Sequence, residues 1–362
     1  MKIVVIASGL GIVQRGFETS ALTWSRLLRA LNQPEVLLLS GGKHAESQQL
    51  PCISQRGYVA NFMRQLGVLN DGARLQQRTF TPFAKLAISR FSPDFIWLQE
   101  GNIAESLQTW VRKKLPQCQI VFCNGAPLGA SFCSQFDLVI DLIPHARQLL
   151  IDIGYPESRS ATIPHPIVLP EPDRCRCDWR AENGYSPSDF VVICVAAWDR
   201  HHKRIDYVLR EFADARRFDS NLKLLLCGQP SNQSSSLQTM GHELLGEHVR
   251  WLTLSQEKLA SAYYGSDLFM LASKDEAFGA VIAEAAIAGL PILCNDFPAA
   301  RYILGERYPG IIDMVREGGL SNALQSDDLV RDLPIISSET KERFSADLLT
   351  KDLELFLRSH SR

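Results

Sequence analysis

Short, largely apolar runs alternate along this chain with stretches of helical period, and that alternation admits few folds. Lys2 to Ala7, Glu35 to Ser40, Asp94 to Leu98, Gln119 to Cys123 and Asp137 to Asp141 read as strands. After Trp179 the alternation restarts, with strands expected at Phe190 to Ala197, Leu222 to Cys227, Val249 to Leu252, Leu268 to Ala272, Pro291 to Asn295 and Gly310 to Asp313. Strands apolar on both faces and joined through helices are parallel and covered on both sides. Between the first two, Phe17, Ala21, Trp24, Leu27, Leu28 and Leu31 share one helical face. Arg204 to Arg217 and Gln256 to Gly265 read as intervening helices, and Ser338 to Ser359 as one long amphipathic helix.

Pro164, Pro166, Pro170 and Pro172 mark an extended linker. The expected division is therefore 1–166 and 167–337, each a doubly wound parallel sheet, with a C-terminal helical segment, 338–362, returning toward the first domain. A chain of 362 residues suffices for two cores of ordinary size. Its net charge of -2 supplies no basic field for nucleic acid. No apolar run reaches the ~18 residues of a membrane span. The opening Met-Lys-Ile-Val-Val-Ile-Ala reads as a strand, not as a cleavable leader. Nine cysteines are scattered, and only Cys175 and Cys177 are close, at a spacing unusual for zinc or redox motifs. Cys123, Cys194, Cys227 and Cys294 fall in or at the ends of strands, where Cys acts as a small hydrophobe. A reducing, cytoplasmic compartment and no structural metal are expected.

The chemistry concentrates after the Leu268 strand. Asp275-Glu276-Ala277-Phe278-Gly279-Ala280-Val281-Ile282-Ala283-Glu284 is followed by Ala-Ala-Ile-Ala-Gly-Leu-Pro. Glu276 falls in the loop at a strand's carboxyl end. Glu284 falls on a helix expected to open at Phe278 or Gly279 and to stop at Gly289 and Pro291. Ligands of open α/β sheets bind at that edge. The helix start offers free N–H groups and a positive dipole end suited to phosphate. Carboxylates beside such a seat accept hydrogen bonds from hydroxyls, so a sugar attached to a diphosphate fits.

Trp198-Asp199-Arg200-His201-His202-Lys203-Arg204 emerges at the same edge. Lys203 stands at a helix start, against the dipole, which points to an anionic ligand. His201 and His202 are adjacent and face different directions, which favours surface roles over metal ligation. The loop with Gly9, Gly11 and Gly16 lacks the G-x-G-x-x-G spacing of dinucleotide folds but permits close backbone approach to a ligand. From Arg56 to Arg90 two helices break near 70–72 and carry Arg56, Arg64, Arg74, Arg78, Lys85 and Arg90 against Asp71. A solvated face is the plain reading of that region; a contact surface for an anionic acceptor or a lipid headgroup is the functional one. Asn124-Gly125-Ala126-Pro127 is a turn at another strand end.

These residues carry a resemblance. The stretch from Glu276 to Pro291 is similar to the E-G-F-G-x-x-x-x-E-A-x-A-x-G-x-P pattern of retaining GT-B glycosyltransferases, in particular glycosyltransferase family 4 (glycosyl transferases group 1). Lys203-Arg204-Ile205-Asp206 resembles that family's Lys-Gly-x-Asp, Ile163-Pro164-His165-Pro166 its Ile-Pro-Asn-Gly linker, and Arg15-Gly16-Phe17-Glu18 its Gly-Gly-x-Glu loop. The resemblance implies a GT-B fold, two Rossmann-like doubly wound domains facing across a cleft. It implies retaining transfer of a hexosyl-type group from a nucleotide-diphospho-sugar to an acceptor hydroxyl, without a metal or other cofactor. Glu276 would hold donor sugar hydroxyls and Glu284 the nucleotide ribose. Lys203 with Arg200 or Arg204 would neutralise the diphosphate, and Phe278, Gly279 and Ala280 would offer backbone N–H groups. Gly16 would close over the phosphates, and the base would lie near Leu254.

Two positions depart from the family. Ala197-Trp198 replaces Gly-Arg, which leaves the second phosphate cation open between Arg200 and Arg204. Asn124-Gly125 replaces His-Gly; Asn124 can bond a hydroxyl but is no general base near neutrality. Partners implied are the donor and a sugar, lipid-linked or small-molecule acceptor, with peripheral membrane contact through Arg56–Arg90. The competing readings are a non-catalytic nucleotide-sugar-binding relic of the same fold, a sugar-nucleotide epimerase, and a nicotinamide oxidoreductase, which the glycine spacing disfavours.

Overall fold

Lys2–Ala7 (β1) is buried from its second residue onward, with Ile3 to Ile6 at most 1% exposed. Each such aliphatic side chain contributes roughly 1.5–3 kcal/mol by leaving water. β1 is an interior strand, between β2 and β4, of a sheet built as sequence alternation requires. In chain order the first unit runs β1, α1 (Gly16–Arg29), β2 (Glu35–Ser40), β3 (Gln48–Gln49), α2 (Tyr58–Gln65), α3 (Gly72–Phe91), β4 (Phe95–Leu98), α4 (Gly101–Lys114), β5 (Gln119–Asn124), α5 (Ala130–Cys133), β6 (Leu138–Asp141), α6 (Pro144–Asp152) and β7 (Ser160–Thr162). Its seven strands are parallel in the order β3-β2-β1-β4-β5-β6-β7.

The second unit runs α7 (Arg176–Glu182), β8 (Phe190–Val195), α8 (Ile205–Arg216), β9 (Leu222–Cys227), α9 (Ser234–Leu245), β10 (Val249–Leu252), α10 (Gln256–Gly265), β11 (Leu268–Leu271), α11 (Ala280–Ile287), β12 (Ile292–Asn295), α12 (Pro298–Leu304), β13 (Ile311–Ile312), α13 (Gly319–Gln325) and α14 (Ser337–Arg343). Its six strands are parallel in the order β10-β9-β8-β11-β12-β13. The last helix is α15 (Ala346–Ser359). This computed structural model describes residues 1–13, 16–69, 71–126, 128–326, 329–330 and 332–361. The chain divides into Met1–Pro166 with the segment from Ala346 onward, and Ile167–Ser345.

The strand order reverses twice, between β1 and β4 in the first sheet and between β8 and β11 in the second. At such a switch point neighbouring loops leave the sheet in opposite directions, and ligands bind between them.

Three local expectations differ from the structure. β3 and β7 are not among the strands expected from the sequence; they are two and three residues long, and one is Gln-Gln, so no apolar alternation announces them. The helix expected over Ser338–Ser359 is two helices, broken at Phe344 and Ser345. Phe344 is fully buried, edge-on to Phe278 at 5.2 Å and to Tyr302 at 6.0 Å, and anchors the end of the second unit. The unit therefore extends to Ser345 instead of 337. The helix after Glu276 begins at Ala280, one residue beyond Gly279, which caps it with φ +79.

Candidate functional site

The loop from β8 to α8 is folded around one carboxylate. Asp199 Oδ1 accepts the N–H groups of His201 at 2.9 Å, His202 at 2.7 Å and Lys203 at 3.2 Å. The Ile205 N–H then donates to the Asp199 carbonyl at 3.0 Å. An Asp that collects successive N–H groups just before a helix is a familiar turn device; Asp199 was not singled out in the sequence for this role. Arg204 closes the turn in the left-handed region, φ 54. Trp198 is buried and packs edge-on against Trp251 at 5.0 Å.

That turn delivers the Lys203 ammonium to Glu276, with which it forms an ion pair. The loops are also joined through the backbone, where Lys274 N–H donates to the His202 carbonyl at 3.0 Å. Both side chains of the pair are largely withdrawn from water, 20% exposed for Lys203 and 14% for Glu276. Its attraction therefore exceeds that of a fully solvated pair. Glu276 precedes α11 by four residues. Gly279 turns the chain into that helix at a φ where an L side chain is strained. Phe278 is buried and pins the turn from inside. The Ala280 and Val281 N–H groups that open α11 have no carbonyl four residues back within the helix and can bind an anion, while the Ile282 N–H donates to the Gly279 carbonyl at 2.9 Å.

Glu284 lies half-buried on α11 and accepts the Tyr263 hydroxyl at 2.9 Å. Burial pushes its carboxyl up to about 7; the Tyr263 bond pulls the other way. Tyr263, on α10, is a partner the sequence did not announce. Arg200 turns toward α9, where its guanidinium donates to Ser236 Oγ at 3.3 Å. Arg204 donates to the Met314 carbonyl at 2.6 Å and stacks over Tyr207 at 4.1 Å. The structure therefore brings Lys203 and Glu276 together and directs both arginines elsewhere. Leu254 follows β10 and is half-buried.

In the first unit, Gly16 opens α1 with open space where a side chain would project; Arg15 lies outside the described residues. Asn124 ends β5, and its Nδ2 donates to Asp141 Oδ1 on the paired strand at 2.9 Å. Burial pushes the Asp141 carboxyl up. Asn124 Oδ1 and Asp141 Oδ2 are buried without a hydrogen-bond partner. Pro127 of the following turn lies outside the described residues. Glu100, just after β4, accepts Ser8 N–H at 2.6 Å, Ser8 Oγ at 2.5 Å and Gln77 Nε2 at 2.7 Å. It bridges the first sheet's switch point, another role the sequence did not announce.

The Arg56–Arg90 region forms α2 and α3 around the cap Asp71, whose side chain accepts from Ala73 and Arg74 N–H. α2 and the residues just after it expose apolar side chains to solvent: Tyr58, Val59, Phe62, Leu66 and Val68 are 48–83% exposed. Among the described residues, one group has metal-ligand geometry, Cys175, Cys177 and Asp178 at the exposed start of α7. No helix among them is long and apolar enough to cross a membrane.

Sucrose-phosphate synthase from Thermosynechococcus elongatus superposes over 99% of this chain and 98% of its own with a TM-score of 0.76 and 15% identity. HepE of Anabaena, solved in complex with UDP-glucose, covers 99% of this chain and 100% of its own with a TM-score of 0.75 and 15% identity. The chain has the GT-B fold. Within this GT-B chain, residues 176–315 match the family model described as Glycosyl transferases group 1. That segment holds every candidate from Arg200 to Glu284, while Gly16 and Asn124 lie outside it. D-inositol 3-phosphate glycosyltransferase of Nocardia farcinica is 30% identical over 170 residues, 44% of this chain and 37% of that relative. The chain spans about a third of the length of the curated relatives it matches.

Proposed function

We propose that this protein transfers a glycosyl group from a nucleotide-diphospho-sugar to an acceptor hydroxyl, with retention at the sugar carbon and without a metal. The observation that carries the reading is the Lys203–Glu276 pair across the second sheet's switch point, beside the α11 N-terminus. A cation, free N–H groups and a helix dipole are aimed where charge develops on a departing diphosphate, and a carboxylate stands where sugar hydroxyls would be. Lys203 would take the diphosphate as Glu276 exchanges its ammonium partner for hydroxyls. Phe278, Gly279 and Ala280 would supply N–H groups, Glu284 would accept from the ribose, and Leu254 would border the base. Arg200 and Arg204 would contribute positive charge by leaving their present partners. Gly16 would allow close backbone approach to the phosphates, and Asn124 would bond a sugar hydroxyl.

In the retaining course, the bond from the sugar carbon to the phosphate oxygen breaks as the acceptor oxygen adds from the same face. The leaving phosphate oxygen takes the acceptor proton, so no protein base is required. A donor of the kind bound by HepE, UDP-glucose, is the first to try. The reading includes peripheral contact of α2 and α3 with an anionic lipid surface, favoured by exposed apolar side chains among six cations.

The test is a panel of UDP-, GDP-, ADP- and TDP-glucose. Stabilisation by one nucleotide, release of its diphosphate, and a first-formed sugar of unchanged anomeric configuration by proton NMR are expected. Binding without any release would favour the non-catalytic relic, and inverted product would end the retaining assignment.

A further inference from the structure

Nine cysteines are spread over the chain, and the structure treats two of them differently from the rest. Six are buried and Cys52 is half-buried, while Cys175 and Cys177 are exposed. Burial pushes the Cys118, Cys133 and Cys194 thiols up to about 12, which leaves them inert as nucleophiles near neutrality. Cys175 and Cys177 hold their sulfurs 2.7 Å apart, close enough to share one hydrogen. That sharing keeps the Cys175 thiol above its ordinary range, and the Asp178 N–H, which donates to Cys175 Sγ at 3.4 Å, pulls the other way.

One residue between two cysteines is an unusual spacing for a redox pair, but here the intervening residue is fastened. Arg176 donates to the Tyr264 carbonyl at 3.2 Å and to the Ser266 carbonyl at 2.5 Å, and it pairs with Asp267. Trp179, one turn on, is buried, stacks on Tyr185 at 5.8 Å and lies against Gly265, where any side chain would collide with its ring. Arg180 reaches the Gly265 carbonyl at 3.2 Å and Asp267 at 2.9 Å. α7 is thus fixed to the end of α10 by its inner side, and the backbone that carries the two thiols is fixed with it. Two nucleophiles held side by side react as an intramolecular pair, at an effective concentration that a free thiol in solution does not match.

We propose that Cys175 and Cys177 form a thiol–disulfide exchange site, which takes a small-molecule disulfide as its substrate and closes on itself. The site stands apart from the transfer reading above. A thiolate of the pair attacks one sulfur of the substrate, whose S–S bond breaks, and one small thiol leaves with the proton that the cysteine gave up. The second thiolate then attacks the cysteine sulfur of the mixed disulfide and expels the other small thiol. The pair is oxidised by two electrons, the substrate is reduced by two, and both protons end on the released thiols. Because the thiolate is the attacking form, the first step should quicken as pH rises. The product is exposed, so it is of the labile kind that excess thiol reverses.

The probe is oxidised glutathione, added to the reduced whole chain with a chelator present, followed by alkylation and peptide mass mapping. The segment holding Cys175 and Cys177 is expected to lose two hydrogens and to keep no glutathione, faster at higher pH, and excess reduced glutathione should restore both thiols. Cys175→Ser and Cys177→Ser each leave one sulfur without its resolving partner. Each should therefore retain a single glutathione, and shed it at least roughly tenfold more slowly than the wild type passes through the same adduct. Serine at 175 keeps an oxygen able to accept the Asp178 N–H, so that variant should fold normally. Glutathione accumulating on either cysteine of the wild type, a disulfide linking two protein molecules, a single variant as free of adduct as the wild type, or no reaction at 175 and 177 would overturn the proposal.

Discussion

Lys203 and Glu276, seventy-three positions apart in the chain, form an ion pair across the strand reversal of the second sheet. Asp199 organises one loop and Gly279 the other, and a backbone bond from Lys274 N–H to the His202 carbonyl also joins them. The pair joins their side chains, and it couples stability to chemistry. Lys203→Ala should lower turnover by roughly 10²- to 10³-fold, the size seen when one stabilising group is removed from a developing anion, and Glu276→Ala should lower it by loosening the donor sugar's position. Each should also lower Tm, because the remaining partner is a half-buried ion without a counterion. The double variant should regain part of the stability and none of the turnover. Initial rates and thermal melts on all four proteins check this, and stability losses that simply add would deny the coupling.

Glu284 should leave a signature in pH. Its carboxyl lies at about 7 in the folded protein against an ordinary 4.5. Between those values the folded chain holds a proton that the unfolded chain has released. Its stabilising contribution is therefore complete below the lower value and is lost as pH rises through the upper one. Glu284→Gln removes this titration. The stability difference, wild type minus variant, should fall between about pH 4.5 and about pH 7.5. Nucleotide affinity of the wild type should rise over the same window, since the ionised carboxylate is the better acceptor for ribose hydroxyls. Denaturant melts at several pH values provide the first readout and titration with UDP the second; flat profiles would remove Glu284 from the ribose.

Asn124 and Asp141 make a second pH-dependent pair. Asn124 supplies a donor to a carboxylate that is 1% exposed and already pushed up by burial. Asn124→Ala should cost about 1–3 kcal/mol near neutrality, the penalty of an unsatisfied buried group. Without its donor the carboxyl rises further, so the folded form favours the proton more strongly, and the cost should shrink toward about pH 4. Urea titrations at the two pH values measure it, and an equal cost at both would reject the charge argument.

The α2 surface should behave as a lipid contact. Tyr58 and Phe62 stack at 6.3 Å on the outside of the helix, and Arg56 and Arg64 flank them. Sedimentation with anionic phospholipid vesicles should carry the protein down, and zwitterionic vesicles should not. Replacing Tyr58 and Phe62 together by Ser should cut binding by roughly tenfold or more, as the lost apolar burial is worth at least ~1.4 kcal/mol. Equal binding of the two vesicle types would leave this face as a solvated surface.

Much of this was legible before the structure, for identifiable reasons. Strands such as Leu222–Cys227 are short, apolar and internal to a parallel sheet, so their pattern is continuous and unambiguous. Glu276 and Lys203 were visible because each sits at a strand-to-helix junction, which sequence marks by a change of period. What escaped depends on contacts remote in sequence. Nothing local to Glu284 announces Tyr263, nor does anything local to Ser8 announce Glu100. The directions of Arg200 and Arg204 are set by Ser236 and the Met314 carbonyl, far along the chain. The break at Phe344 follows from burial against Phe278 and Tyr302, while the helical pattern runs on through it.

That break has a consequence for the order of synthesis. Leu349, Leu353 and Leu357 of α15 are buried within the first unit, where the helix packs on α1. The unit that contains residues 1–166 is therefore also the one that must wait for residue 357. Ile167–Ser345, begun later, has its whole sequence made before α15 is. A chain ended at Ser345 would carry all of the second unit attached to a first one that lacks its closing helix.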